Sequence, residues 1–83
     1  MNLEMQNKVL DIVNNISGSN LDHIDLNGNF KDELTLDSIQ VVELFAQLEN
    51  EFQIELPLAM MMVKNTGEFM SMLEHELGKH YNA

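Results

Sequence analysis

The residues with the clearest chemical potential are a serine and the aspartate before it, at the border between a polar segment and a helical one. Asp37 and Ser38 precede the stretch Ile39–Leu44, where apolar residues recur at helical spacing. A hydroxyl at the start of a helix lies where backbone N–H groups and the helix dipole favour a phosphate. The same pair often does no more than cap a helix. The pattern therefore indicates either a phosphate attachment point or a helix cap.

A catalytic role for Ser38 would need a base positioned beside its hydroxyl. None of the three histidines lies near it in the sequence; they are His23, His75 and His80. We therefore predict that the protein is not an enzyme in its own right.

Two stretches look like metal sites, but neither has the full pattern. Asp25–Asn29 begins like a calcium loop, yet Phe30 stands where the loop needs glycine and Leu36 where it needs glutamate. His75 and His80 are five positions apart, so they do not share a helix face as ligands at i and i+4 would. The sequence therefore predicts no metal site.

Composition narrows the class of partner. The chain has 83 residues, enough for one domain (1–83), and its four Lys/Arg against fourteen Asp/Glu give a net charge of −10. Such a surface repels nucleic acid and anionic membranes and favours basic protein surfaces, although acidity can also serve solubility alone.

The absence of cysteine fits a reducing compartment. With no signal peptide pattern and no membrane-spanning apolar run, we expect a free-standing cytoplasmic protein that acts as a monomer.

The surrounding elements predict an all-α fold, a small four-helix bundle with three long helices, one short one and a long first loop. The first helix should stop near Ser17, and a loop of about eighteen residues should follow as far as Asp37. A short turn is expected over Leu58–Val63, and the last helix should begin after Asn65, with Thr66 as its N-cap.

The second long helix is expected over Ser38–Phe52. Asp37 is the predicted N-cap, with Gln40 as its partner in a capping box. Its inward face is the apolar stripe Val41, Leu44, Phe45, Leu48 and Phe52.

A wider pattern surrounds Ser38 and extends over roughly Asn29 to Pro57. Its elements are Phe30, Asp32-Glu33-Leu34, Asp37-Ser38-Ile39, Val42-Glu43-Leu44, Leu48-Glu49, Glu51-Phe52, Ile54 and Pro57. These residue types at these spacings resemble those of acyl carrier proteins. The resemblance implies that a separate phosphopantetheinyl transferase esterifies Ser38 with 4'-phosphopantetheine from coenzyme A. The thiol of that arm would then hold acyl groups as thioesters for partner enzymes.

The same resemblance implies that the second helix docks synthase enzymes through their basic patches. The docking residues it indicates are Asp37, Ile39, Val42, Glu43, Ala46 and Glu49. Asp37 would also help hold the metal ion of the transferase complex.

The sequence departs from fatty-acid carriers at several points. Gln40, Gln47 and Asn50 stand where those carriers usually have acids, Leu58–Val63 is apolar, and Thr35 replaces a frequent glycine. These departures leave fatty-acid, polyketide and related specialised biosynthesis open as pathways. Two alternatives also stay open: an aminoacyl or peptidyl carrier loaded by its own ligase, as in nonribosomal peptide or D-alanine transfer, and a small acidic helical adaptor.

Overall fold

Five helical segments make up the computed structural model, which describes residues 3–82, with side chains described for residues 3–78. The long helices are α1 (Leu3–Ser17), α3 (Ser38–Phe52) and α4 (Thr66–Asn82). Between them lie the single-turn α2 (Phe30–Leu34) and a 3-10 helix at Leu58–Met62. The all-α bundle with three long helices is confirmed, and so is the short turn after Pro57.

The core lies among the three long helices. Side chains from each of them are wholly removed from solvent: Val9 and Val13 of α1, Leu44 and Leu48 of α3, and Phe69, Met70 and Leu73 of α4. This inward stripe of α3 agrees with the prediction except at Phe52, which is only half-buried. Phe52 is the last residue of α3, where the helix reaches the edge of the bundle.

The first loop contains an element that the sequence did not predict. Asn29 Oδ1 accepts a hydrogen bond from Asp32 N at 3.2 Å and so caps α2. Phe30 and Leu34 are buried, and the Phe30 ring lies 4.6 Å from that of Phe69. Two apolar anchors and one cap therefore convert part of the expected loop into a helical turn.

Backbone hydrogen bonds fasten this loop to the start of α4. Gly67 N donates to Leu26 O at 2.8 Å, and Thr66 N donates to Gly28 O at 3.0 Å. The Thr66 hydroxyl also donates to Gly28 O, at 3.2 Å, and is fully buried. These bonds fix the segment that leads into α2.

The predicted N-cap of α4 is wrong by one residue. Asn65 Oδ1 accepts from Glu68 N at 2.7 Å, which is the bond expected of an N-cap. Thr66 is instead the first helical residue, and its hydroxyl is committed to the loop. Both residue types are good caps, so the choice depends on the contact with Gly28, which the sequence does not reveal.

Candidate functional site

Ser38 is the first residue of α3, and its side chain is exposed. The capping box predicted at this end is confirmed: Gln40 N donates to Asp37 Oδ1 at 2.8 Å, and Asp37 N donates to Gln40 Oε1 at 3.0 Å. The cap is thus formed by residues on either side of Ser38. Its hydroxyl is left pointing outward at the positive end of a 15-residue helix.

A lysine that the sequence did not single out completes the surroundings of this hydroxyl. Lys31 Nζ donates a hydrogen bond to Ser38 Oγ at 3.2 Å. Lys31 lies in α2, seven residues earlier, and the chain must reverse sharply to bring the two together.

That reversal is a helix C-terminal turn of the Schellman type. Leu36 N donates to Lys31 O at 2.9 Å, and Thr35 N donates to Asp32 O at 3.3 Å. Thr35 takes the left-handed conformation with φ 58°, the conformation that the glycine of fatty-acid carriers would adopt without strain. Leu36 is buried directly after it and anchors the turn.

The outward face of α3 next to Ser38 carries apolar side chains in water. Ile39 is 80% exposed and Val42 is 55% exposed. Glu43 and Ala46 are exposed on the same face, so these four predicted docking residues form one surface with Ser38. We refer to Ile39, Val42, Glu43 and Ala46 as the outer face.

The acids farther along α3 have structural partners. Glu49 is half-buried, and its Oε2 accepts from Leu56 N at 2.8 Å, which holds the segment after α3 against the helix. Glu51 Oε2 pairs with Lys8 Nζ at 3.2 Å and joins α3 to α1. Glu49 therefore differs from Asp37 and Glu43, which are exposed, because it is half-buried and its carboxylate binds the backbone of the segment beyond the helix.

Within residues 3–78, no base contacts Ser38. His23 pairs with Asp22 at 2.7 Å, a hydrogen bond that raises the pKa of the imidazole, and His75 is exposed on α4. The side chain of His80 lies outside the described residues.

The described side chains contain no cluster of three potential metal ligands. No helix among residues 3–82 combines the length and apolar character needed to cross a membrane.

The surroundings of Ser38 suit a phosphate ester. The hydroxyl is accessible, and an ammonium group stands within hydrogen-bond distance of it. The N–H groups of Ser38 and Ile39, at the first two positions of α3, have no intrahelical acceptor. A phosphate esterified to Ser38 would therefore lie within reach of the Lys31 ammonium.

Comparison with known proteins agrees with this geometry. The sequence model of the family described as "Phosphopantetheine attachment site" matches residues 7–73. The chain is 43% identical over 54 residues to an acyl carrier protein of Chlorobium phaeovibrioides, which covers 65% of this chain and 69% of the relative. Acyl carrier proteins of Chlorobium luteolum and Chlorobium phaeobacteroides are 43% and 41% identical over the same length.

The fold and the matches define a carrier domain of the phosphopantetheine-attachment class. Within that class, the chain belongs to the acyl carrier protein family. It is a carrier and not an enzyme, and its cofactor is covalently attached 4'-phosphopantetheine, whose thiol forms the thioester with the cargo.

Proposed function

We propose that Ser38 is the attachment residue, and that the arm holds acyl intermediates of fatty-acid, polyketide or related specialised biosynthesis for delivery to partner enzymes. The observation that carries the assignment is that the residues that cap α3 leave the Ser38 hydroxyl exposed. Asp37 and Gln40 cap the helix, and the exposed hydroxyl between them serves no structural bond except that with Lys31.

Attachment joins Ser38 Oγ to a phosphorus of coenzyme A and releases the nucleotide portion as the leaving group. The hydroxyl proton must pass to a base. The contact with Ser38 comes from a lysine ammonium, which donates hydrogen bonds and accepts none. The base therefore belongs to the transferase, in keeping with a domain that presents its serine and does not activate it.

The outer face is proposed to dock the partners: the transferase, the enzyme that loads the cargo, and synthases with basic patches. Asp37 and Glu43 supply negative charge beside Ser38, and Ile39, Val42 and Ala46 supply apolar contact. Because Gln40, Gln47 and Asn50 are uncharged, the apolar share of this contact should exceed that in carriers with acids there. Glu49 would contribute charge only, since its carboxylate holds Leu56.

We propose that the carrier acts as a single-domain cytoplasmic monomer. Its radius of gyration of 11.7 Å equals the roughly 12 Å expected of one compact domain of this length. Light scattering of the loaded protein tests the oligomeric state.

Two alternatives differ in what they require. An aminoacyl or peptidyl carrier uses the same serine and arm, so the enzyme that loads the cargo distinguishes it from an acyl carrier. An adaptor in which Ser38 only caps a helix gains no support from the structure, because Asp37 supplies the cap.

The decisive experiment is incubation with coenzyme A and a broad-specificity phosphopantetheinyl transferase, followed by intact mass measurement. Wild type should gain one arm. Ser38→Ala should gain none, and Ser71→Ala, which removes another exposed hydroxyl on α4, should behave as wild type. An arm on the Ser38→Ala protein, or none on wild type, overturns the assignment.

A further inference from the structure

We propose that Lys31 is a built-in counter-ion for the phosphodiester on Ser38, and that it holds the root of the arm on the α2 side of the site. The inference rests on the proposed attachment at Ser38. It assigns to this chain a residue that contacts the phosphate, in addition to the serine that carries it.

The geometry already places the ammonium where the phosphate will form. Lys31 Nζ lies 3.2 Å from Ser38 Oγ, the atom that becomes the ester oxygen. The unesterified oxygens of a phosphate on that atom would lie one bond from the phosphorus, in the exposed space that Lys31 also borders. A lysine ammonium has three donors, so it can bond a charged phosphate oxygen in place of the neutral hydroxyl, and such charge-assisted bonds are the stronger kind.

The charge of the protein explains why a cation beside Ser38 would matter. The chain has a net charge of −10, and Asp37 directly precedes Ser38, so each added phosphate charge meets repulsion. Lys31 donates directly to Ser38 Oγ, whereas Lys8 is paired with Glu51 across α1 and α3. The ammonium offsets the new charge locally.

The backbone holds Lys31 in position. Its carbonyl accepts from Leu36 N at 2.9 Å within the turn at Thr35, and neighbouring Phe30 is buried in the core. The lysine thus stands on a fixed turn, and only its side chain needs to adjust when the arm is present. An arm paired with it would leave the outer face of α3 open to partners.

The test uses the loaded protein and phosphorus NMR. Lys31→Met removes the charge and keeps much of the stem, Lys31→Arg keeps a cation, and Lys64→Met is the matched control at another exposed lysine. We expect the phosphorus resonance of Lys31→Met to move towards that of free phosphopantetheine. Lys64→Met should match wild type, and Lys31→Arg should stay closer to wild type than Lys31→Met.

Salt and side-chain nitrogen signals provide two further readouts. Screening strengthens as the Debye length falls from ~10 Å at 0.1 M to ~3 Å at 1 M. Raising salt should therefore move the wild-type phosphorus resonance in the direction of Lys31→Met and leave that variant unchanged. In wild type, the Lys31 Nζ resonance should shift on loading while that of Lys64 does not.

The outcomes separate the two proposals. A wild-type protein that is never loaded at Ser38 overturns both. A protein that is loaded at Ser38, with phosphorus resonances identical in wild type and Lys31→Met and no change at Lys31 Nζ, overturns the counter-ion role alone. Because the nitrogen measurement needs no variant, a fold defect in Lys31→Met would not hide the answer.

Discussion

The helical core and the segment before Ser38 differ in how much of their stability comes from apolar burial and how much from backbone hydrogen bonds. The core of α1, α3 and α4 is stabilised by burial of aliphatic and aromatic side chains, which is non-directional and shared among many residues. Residues 18–37 contribute only four side chains to that core, Ile24, Phe30, Leu34 and Leu36, and depend in addition on a few directional backbone bonds to the start of α4 and on the turn at Thr35. The functional hydroxyl lies where the two regions meet. We therefore expect substitutions in the core to lower the free energy of unfolding most. In residues 18–37, we expect substitutions at a few backbone positions to have the next largest effect.

The largest effect should come from removing core volume. Leu44→Ala is expected to destabilise the protein by about 2–5 kcal/mol, because the side chain is fully buried. Ile39→Ala removes the same number of atoms from a residue that is 80% exposed, and should cost within about 0.5 kcal/mol. Urea melts measure both, and a loss at Ile39 as large as that at Leu44 would contradict this orientation of α3.

Phe52→Ala tests whether the loss of stability follows the degree of burial. A fully buried phenylalanine would cost about 3–5 kcal/mol, but the half-buried Phe52 should lose less than Leu44→Ala.

The next largest loss of stability should come from Gly67→Ala, because Gly67 lies at the backbone contact between the loop and α4. A Cβ at Gly67 would stand 2.8 Å from Leu26 O, a backbone atom that cannot move without breaking the link. The clash should outweigh the gain in helix propensity, which is at most about 1 kcal/mol, for a net loss of about 1–2 kcal/mol.

Gly28→Ala is the matched control for Gly67→Ala. Its Cβ would meet Glu33 Oε1 at 2.8 Å and Glu33 Cβ at 3.2 Å. These are side-chain atoms, which can turn away at the expense of the hydrogen bond from Asp25 N to Glu33 Oε2. The cost should therefore be smaller in the same urea melts. A larger loss at Gly28 than at Gly67 would refute the role assigned to the backbone contact.

A smaller effect, of opposite sign, is expected at the turn. Thr35→Gly removes a β-branched residue from a left-handed conformation that costs about 1–2 kcal/mol. Glycine loses more backbone entropy on folding, and the hydrogen bonds of the Thr35 hydroxyl to Ser19 at 2.7 Å and to Leu34 O at 2.6 Å are lost, so the net gain should be at most about 0.5 kcal/mol. Gln53→Gly, at φ 55°, should gain less because glutamine is not β-branched. Thermal melts rank the two.

The smallest effect on stability should come from the outer face. Val42→Asp and Glu43→Lys are each expected to change the free energy of unfolding by less than about 0.5 kcal/mol. Their effect should appear in transferase kinetics. Glu43→Lys should lose most at low salt and approach wild type at high salt, whereas Val42→Asp should stay impaired throughout. Unaltered loading by both variants at every salt concentration would place docking elsewhere.

The sequence predicts what depends on local pattern. The capping box spans four consecutive residues, Asp37–Gln40, and the periodicity of α3 lies within one continuous stretch of 15 residues, so both could be recognised without the fold. Ser38 follows as an exposed helix-start residue because its neighbours do the capping.

The sequence does not predict what depends on the turn. Lys31 reaches Ser38 only because Thr35 adopts a conformation that threonine rarely takes, which no local rule would assign. Thr66 resembles a cap in the sequence, but its hydroxyl bonds Gly28 O, 38 residues earlier, and Asn65 caps the helix. Contacts of this kind require knowledge of the tertiary arrangement.

The backbone hydrogen bonds between the loop and the start of α4 should also govern hydrogen exchange in this region. The amide protons of Phe30, Thr66 and Gly67 bond to carbonyls across the same junction, at Lys64, Gly28 and Leu26. None can be released to solvent without separating the loop from the first turn of α4. Deuterium should therefore enter all three amides at a common, slow rate, so that an irregular loop exchanges as one cooperative unit with the helix it touches.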